Sequence, residues 1–139
     1  MMGNVVNLFL KPGRKQPMLP VADVIAIEGE GLKGDASFGR SMRQILMVES
    51  EVLDRYALLP GSVRENITTR GVRLRELSAG TRLRLGEALL EVIGDCTPCS
   101  FLDSLRPGLQ ERINGERGVL ARVITNGTIR VGDSITLVD

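Results

Sequence analysis

Cys96 and Cys99 are the only cysteines in a 139-residue chain that contains no histidine, and they stand together in Asp95-Cys96-Thr97-Pro98-Cys99-Ser100. Without imidazole there is no Ser/His/Asp triad, no Cys/His dyad and no His-ligated metal centre, so a nucleophile or soft metal ligand in this chain is a thiolate. Cys99 is the first candidate. Two-residue cysteine spacing serves several chemistries, each with its own demands. Zinc takes about four N/S ligands, and the chain supplies half of such a set. A thioredoxin-like dithiol needs the pair at a helix start inside a βαβ pattern; residues 100–114 could be helical, but the chain around them reads as hairpins. The plain alternative is a pair of small buried hydrophobes, because free cysteine is among the most buried residue types.

The elements that must position these thiols read mostly as strands and tight turns. Residues 5–10 form a short apolar run closed by Lys11-Pro12-Gly13, and 21–27 form a second, followed by the glycine-spaced loop Glu28-Gly29-Glu30-Gly31-Leu32-Lys33-Gly34-Asp35. That loop lacks both the Lys-Ser/Thr ending of a P-loop and the helix of a dinucleotide fingerprint. Residues 43–48 read as a buried strand. Val52, Leu53, Tyr56 and Ala57 recur at helical spacing across 49–58, ended by Pro60-Gly61. Further on, the segments from Gly80-Thr81 and from Gly127-Thr128 resemble one another: Arg84-Leu85-Gly86-Glu87 and Arg130-Val131-Gly132-Asp133 each sit between alternating apolar residues. Both are expected to be hairpins folded at a Gly-acid turn, and Asn126-Gly127 predicts a third hairpin joining 120–124 to 129–131. Strands at this spacing predict a mainly β protein, a closed or nearly closed β-barrel with one or two short helices. The one long interruption, 92–119, begins with the two cysteines. It continues through a helix expected over 101–113 and broken or bent at Pro107-Gly108. Function commonly sits on such an excursion from a rigid scaffold.

Composition narrows the partners. The length predicts a single domain over 1–139, since a chain of this size buries roughly 70% of its unfolded surface, enough for one core. With 18 Lys and Arg against 17 Asp and Glu the net charge is +1, which gives no global field for nucleic acid or anionic membranes. Aromatic residues are 3% of the chain, too few for base-stacking platforms. Residues 1–10 lack a basic leader or small-residue cleavage site, and no run approaches the ~18 apolar residues of a membrane span. The expected location is the cytoplasm, where both thiols stay reduced.

A series of short motifs then falls in a recognisable order: Gly31-Leu32-Lys33-Gly34-Asp35, Arg43-Gln44 opening a strand, Glu49 after it, Arg64-Glu65-Asn66-Ile67, Gly71, Leu77 with Gly80, Leu83-Arg84-Leu85-Gly86, Pro98-Cys99, Gly118 and Gly132-Asp133. This order resembles the MOSC domains, named for the C-terminal domain of molybdenum-cofactor sulfurase, over roughly 31–138. Gln16-Pro17-Met18 is similar to the entry segment of the short stand-alone bacterial members. The resemblance implies a strand-rich barrel with a pocket whose hallmark cysteine is Cys99, catalytic or metal-binding, engaged in sulfur transfer or in holding the molybdenum of a pterin cofactor. Cys96 lies outside the pattern. Many members carry a histidine shortly after the Gly-Asp pair, where Ala36-Ser37-Phe38 stand in this chain.

A thiolate suits both implied roles, because each depends on polarizable sulfur. A pterin cofactor also carries a phosphate, for which forked guanidinium donors are well matched. Arg43 and Arg64 occupy matching family positions, with Asn66 in the same motif as Arg64; Lys33, Arg40 and Arg117 stand behind them. Asp35 and Glu65 either orient those cations or cap turns. The resemblance therefore implies binding of a molybdopterin-type cofactor, or carriage of its sulfur, in support of a molybdenum-dependent reaction on N-hydroxylated substrates. A sulfur donor or an electron-transfer protein would be the partner. Two other classes stay open: a non-catalytic sulfur or cofactor delivery module, and a thiol-disulfide protein using Cys96 and Cys99.

Overall fold

Alternating burial along the chain produces strands that close on themselves. In the computed structural model, which describes residues 3–138, the elements in chain order are β1 (Gly3–Leu10), β2 (Leu19–Val21), β3 (Asp23–Ile27), β4 (Gly31–Leu32), β5 (Ile45–Glu49), α1 (Ser50–Arg55), β6 (Ile67–Arg70), β7 (Arg82–Leu85), β8 (Ala88–Asp95), α2 (Phe101–Leu105), α3 (Leu109–Arg112), β9 (Val119–Thr125), β10 (Gly127–Arg130) and β11 (Ser134–Val138), with one 3-10 turn at Leu74–Glu76. Met1 and Met2, the start of the apolar stretch 1–10, lie outside the described residues; from Gly3 onward that stretch is a barrel strand. The ring runs β11-β7-β8-β9-β5-β6-β1 and returns to β11 through Gly3↔Ile135 and Asn4↔Ser134, a closed seven-stranded barrel. Its neighbours are antiparallel except β5 and β6. Closure leaves β2 as an outer addition to β1, and β10-β3-β4 form a second, small sheet. No helix among the described residues is long and apolar enough to cross a membrane.

Strand β5 is buried on both faces, and this two-sidedness places the site. Ile45 and Met47 join the barrel interior with Val5, Leu83, Leu85, Leu90 and Val123. Leu46 and Val48 face a second apolar cluster with Val52 and Leu53 of α1, Val63, Leu102 of α2, Leu109 of α3 and Ile113. An apolar run without alternation is what a strand covered on both sides requires. The helical excursion is thereby packed against the outer wall of the barrel. It breaks where the sequence predicts: Gly108 is left-handed at φ 83°, so 101–113 becomes two helices and the helix count rises to three.

The Gly-acid repeats end differently from each other. Gly86, at φ 56°, turns β7 directly into β8, as expected. Gly132, at φ 93°, and Asn126-Gly127 are corners instead of hairpin turns, because β10 pairs with β3 while β9 pairs with β5 and β8, and β11 with β7 and β1. The physical reason is visible at the corners. The Glu28 amide donates to the Asn126 side-chain oxygen, and a Cβ on Gly127 would lie 2.3 Å from the Glu87 carbonyl carbon. The backbone there is pressed against the β7–β8 turn and β10 crosses to the other sheet. The two similar segments lie side by side, joined by an Arg130–Glu87 ion pair.

Candidate functional site

Asn66 anchors the wall of the site. It is 3% exposed; its Nδ2 donates to the Phe9 carbonyl (3.2 Å) and to Asp35 Oδ1 (2.9 Å), and its Oδ1 accepts from the Leu46 amide (3.0 Å). One side chain thus joins the end of β1, the start of β5 and the approach to β6. Asp35 completes the junction by accepting from the Lys11 amide (2.7 Å) and the Ser37 amide (2.9 Å). It caps a turn and holds Asn66, and forms no ion pair with a cation of the site among the described residues.

On the other side, strand pairing between β8 and β9 continues one step past Asp95↔Val119, where the Cys96 amide donates to the Gly118 carbonyl (2.8 Å). Gly118 has φ 130° and lies so close to β5 that a Cβ would stand 2.5 Å from the Met47 carbonyl oxygen, a position only glycine tolerates. This close approach draws Arg117 and the cysteine loop to the start of β5. Cys96 is half-buried against the outer apolar cluster, whereas Cys99, three residues on and just before α2, is exposed.

Between the two walls lies a cleft of about 280 Å³. Its lining includes Cys99, Arg43, Arg64 and Asn66, residues from three separate loops, and also Cys96. Arg40 and Arg117 join them, and so does Lys11 from the Lys11-Pro12-Gly13 turn that closes β1. Lys33 is exposed and does not line the cleft; β4 ends just before it, and its neighbour Asp35 turns inward instead. Five cations and no carboxylate therefore line the space, and none of the five takes part in the seven ion pairs among the described residues. Lys11 registers this concentration: burial, followed by the like charges of Arg64, Arg40 and Arg117, holds its ammonium below its ordinary pKa against the opposing pull of Asp35.

Arg64 adopts a left-handed conformation at φ 65°, uncommon for a side-chain-bearing residue and a mark of functional or structural constraint. Its guanidinium donates to the carbonyls of Gln16 (2.8 Å) and Gly13 (3.2 Å), strapping the loop after β1 beside the cleft. Glu65 points the opposite way, into the protein. It is fully buried, accepts from the Gly61 amide (2.8 Å) and Thr68 Oγ1 (2.9 Å), and burial pushes its carboxyl up from the ordinary range.

A family model, the MOSC domain, matches residues 36–136. The chain belongs to the MOSC domain family. No curated protein sequence matches it. Among solved structures, YuaD protein from Bacillus subtilis is 21% identical with a TM-score of 0.83, covering 97% of this chain and 94% of that one. YiiM from Geobacillus stearothermophilus is 22% identical with a TM-score of 0.77, over 99% of this chain and 75% of its own. YiiM from Escherichia coli is 21% identical with a TM-score of 0.76, over 100% and 71%. At these identities the likeness establishes the fold. With no histidine in the chain, the polar side chains lining the cleft are thiol, guanidinium, ammonium, hydroxyl and amide groups.

Proposed function

We propose that this MOSC domain binds a phosphorylated molybdenum-pterin cofactor in the cleft, with Cys99 as the thiolate ligand to the metal. The observation that carries the reading is the convergence of an exposed thiol with five cations in a space free of carboxylates. Packing alone does not produce such convergence, because arginine heads ordinarily spread to solvent while their stems bury. The donor set fits the group: soft sulfur for an oxo-metal centre, guanidinium for phosphate. Cys99 supplies the soft donor, Arg43 and Arg64 supply charge toward the phosphate, and Asn66 is a positioning residue that fixes the wall. When bound, the metal centre supplies two-electron redox chemistry suited to reduction of N-hydroxylated substrates. The same exposed thiol supports a second reading, carriage of sulfur, because an accessible thiolate is also a sulfane acceptor.

Native mass spectrometry on protein taken from its own cell distinguishes these readings, since a bound pterin and a sulfur adduct on Cys99 differ in mass. Cys99→Ser is expected to abolish retention of either, while Cys96→Ser retains most of it. Alkylation should reach the exposed Cys99 before the half-buried Cys96. A protein that carries neither adduct, or one whose Cys96 alkylates first while Cys99 stays inert, removes Cys99 from the centre of the site.

A further inference from the structure

We propose that Arg117 is the principal oxyanion receptor of the cleft, taking a phosphate-class group through guanidinium donors that the protein leaves unpartnered. Arg117 is 5% exposed and lines the cleft. Its Nη2 donates to the Val63 carbonyl (2.7 Å), but Nε and Nη1 have no partner among the described residues. A guanidinium stays ionised at any accessible pH, so burying these donors unpaired is expensive and calls for compensation from outside the chain.

The nearest internal compensation stops short. Glu65 is fully buried with its Oε1 also unpartnered, and the two charges feel one another, yet they form no ion pair. Both are held where they are. The Gly61 amide and Thr68 hydroxyl occupy Glu65 Oε2, while the Val63 carbonyl tethers Arg117 and Gly118 beside it is pressed against the Met47 carbonyl. A charged fork held apart from its counter-ion, in a residue that lines a cleft with four other cations, is chemically matched to an external oxyanion.

Among the arginines of the cleft, Arg117 is best suited to this role. Arg64 already spends Nη1 and Nη2 on the loop carbonyls of Gln16 and Gly13, and Arg40 and Arg43 are exposed, where water competes for their donors. The accumulation of positive charge, with Lys11 close enough to feel Arg117, favours a doubly charged tetrahedral oxyanion over a carboxylate. The assignment rests on the reading that the cleft takes a phosphorylated ligand, but not on the pterin or on the thiol.

Inorganic phosphate titrated into the cofactor-free protein at low ionic strength provides the test. Binding is expected in wild type, weakened at least about tenfold in Arg117→Lys, which keeps the charge and loses the fork, and weakened less in Arg64→Ala. If Arg117→Lys does not fold, the through-bond-assigned Nε–H signal of Arg117 in intact wild type decides, and it should move on titration. The assignment is overturned if wild type does not bind phosphate, if folded Arg117→Lys binds it equally well, if the loss follows Arg64 instead, or if the Arg117 signal stays fixed while other guanidinium signals shift. Phosphate binding through Arg117 in a protein that never carries a pterin would sustain this assignment and end the cofactor reading.

Discussion

At the scale of single residues, the Arg64-Glu65-Asn66 motif divides its labour by direction. Arg64 reaches to the rim, Asn66 into the wall, and Glu65 into the protein beneath. The motif was legible in the sequence, but these directions were not: they follow from the left-handed turn at Arg64, which spacing alone does not reveal. Glu65 makes a pH prediction. Burial raises its folded pKa above the ordinary 4.5, with the hydrogen bonds from Gly61 and Thr68 and the charge of Arg117 only partly opposing. The folded state therefore binds more protons than the unfolded one, and stability from this group is fully present below about pH 4.5 and lost as pH rises through the folded pKa. Glu65→Gln keeps an oxygen to accept from Gly61 and Thr68 and removes the titration. The difference in unfolding free energy, measured by denaturant from pH 4 to pH 8, should move steadily in the variant's favour as pH rises. A flat difference, or one that moves toward wild type, contradicts the raised pKa.

At the scale of elements, the sequence identified what local signals determine and missed what distant pairing determines. The unalternated run of β5, the spacing of Val52 and Leu53 in α1, and the Pro107-Gly108 break each report on their own few residues, and each element formed there, although α1 ends at Arg55, short of the expected 58, because Ala57 turns left-handed at φ 53°. Asn126-Gly127 and Gly132 carry equally good hairpin chemistry, yet β10 leaves for the small sheet because β3 offers it a partner and the β7–β8 turn blocks a fold-back. Turn chemistry permits a reversal; it does not select the strand across from it. Gly118 is the converse case, a glycine whose neighbours in sequence say little and whose neighbour in space, Met47, says everything. Gly118→Ala should cost about 2 kcal/mol or more in denaturant unfolding, since it combines a strained φ with a clash against backbone that cannot give way. Because Gly118 sets Arg117 beside β5, the same variant should lose phosphate binding under conditions where it is still folded. Unchanged stability would mean that the close approach is not required.

At the scale of the whole molecule, a net charge of +1 conceals a sorted distribution. Outside the cleft seven arginines among the described residues pair with acids, as Arg122 and Arg82 do with Glu91, while the cleft gathers Lys11 and four arginines without a carboxylate. Composition could not show this, because averaging over the chain cancels what the barrel separates. Such clustering is a cost to the empty protein that a bound anion would relieve. Lys11 is the place to measure it, since its half-buried ammonium lies among like charges and its backbone amide alone carries the hydrogen bond to Asp35. Lys11→Met preserves that amide bond and the stem's packing while removing the charge. The ligand-free variant is expected to unfold at the same temperature as wild type or higher, and to bind phosphate several-fold more weakly, a trade of binding for stability common at functional sites. Raising salt should reproduce both effects in wild type: at physiological ionic strength the screening length is about 8 Å, so added salt relieves repulsion within the cleft and weakens its hold on an anion. Loss of stability in Lys11→Met together with undiminished phosphate affinity would show that the ammonium serves packing alone, and that the charge of the cleft is carried by its arginines.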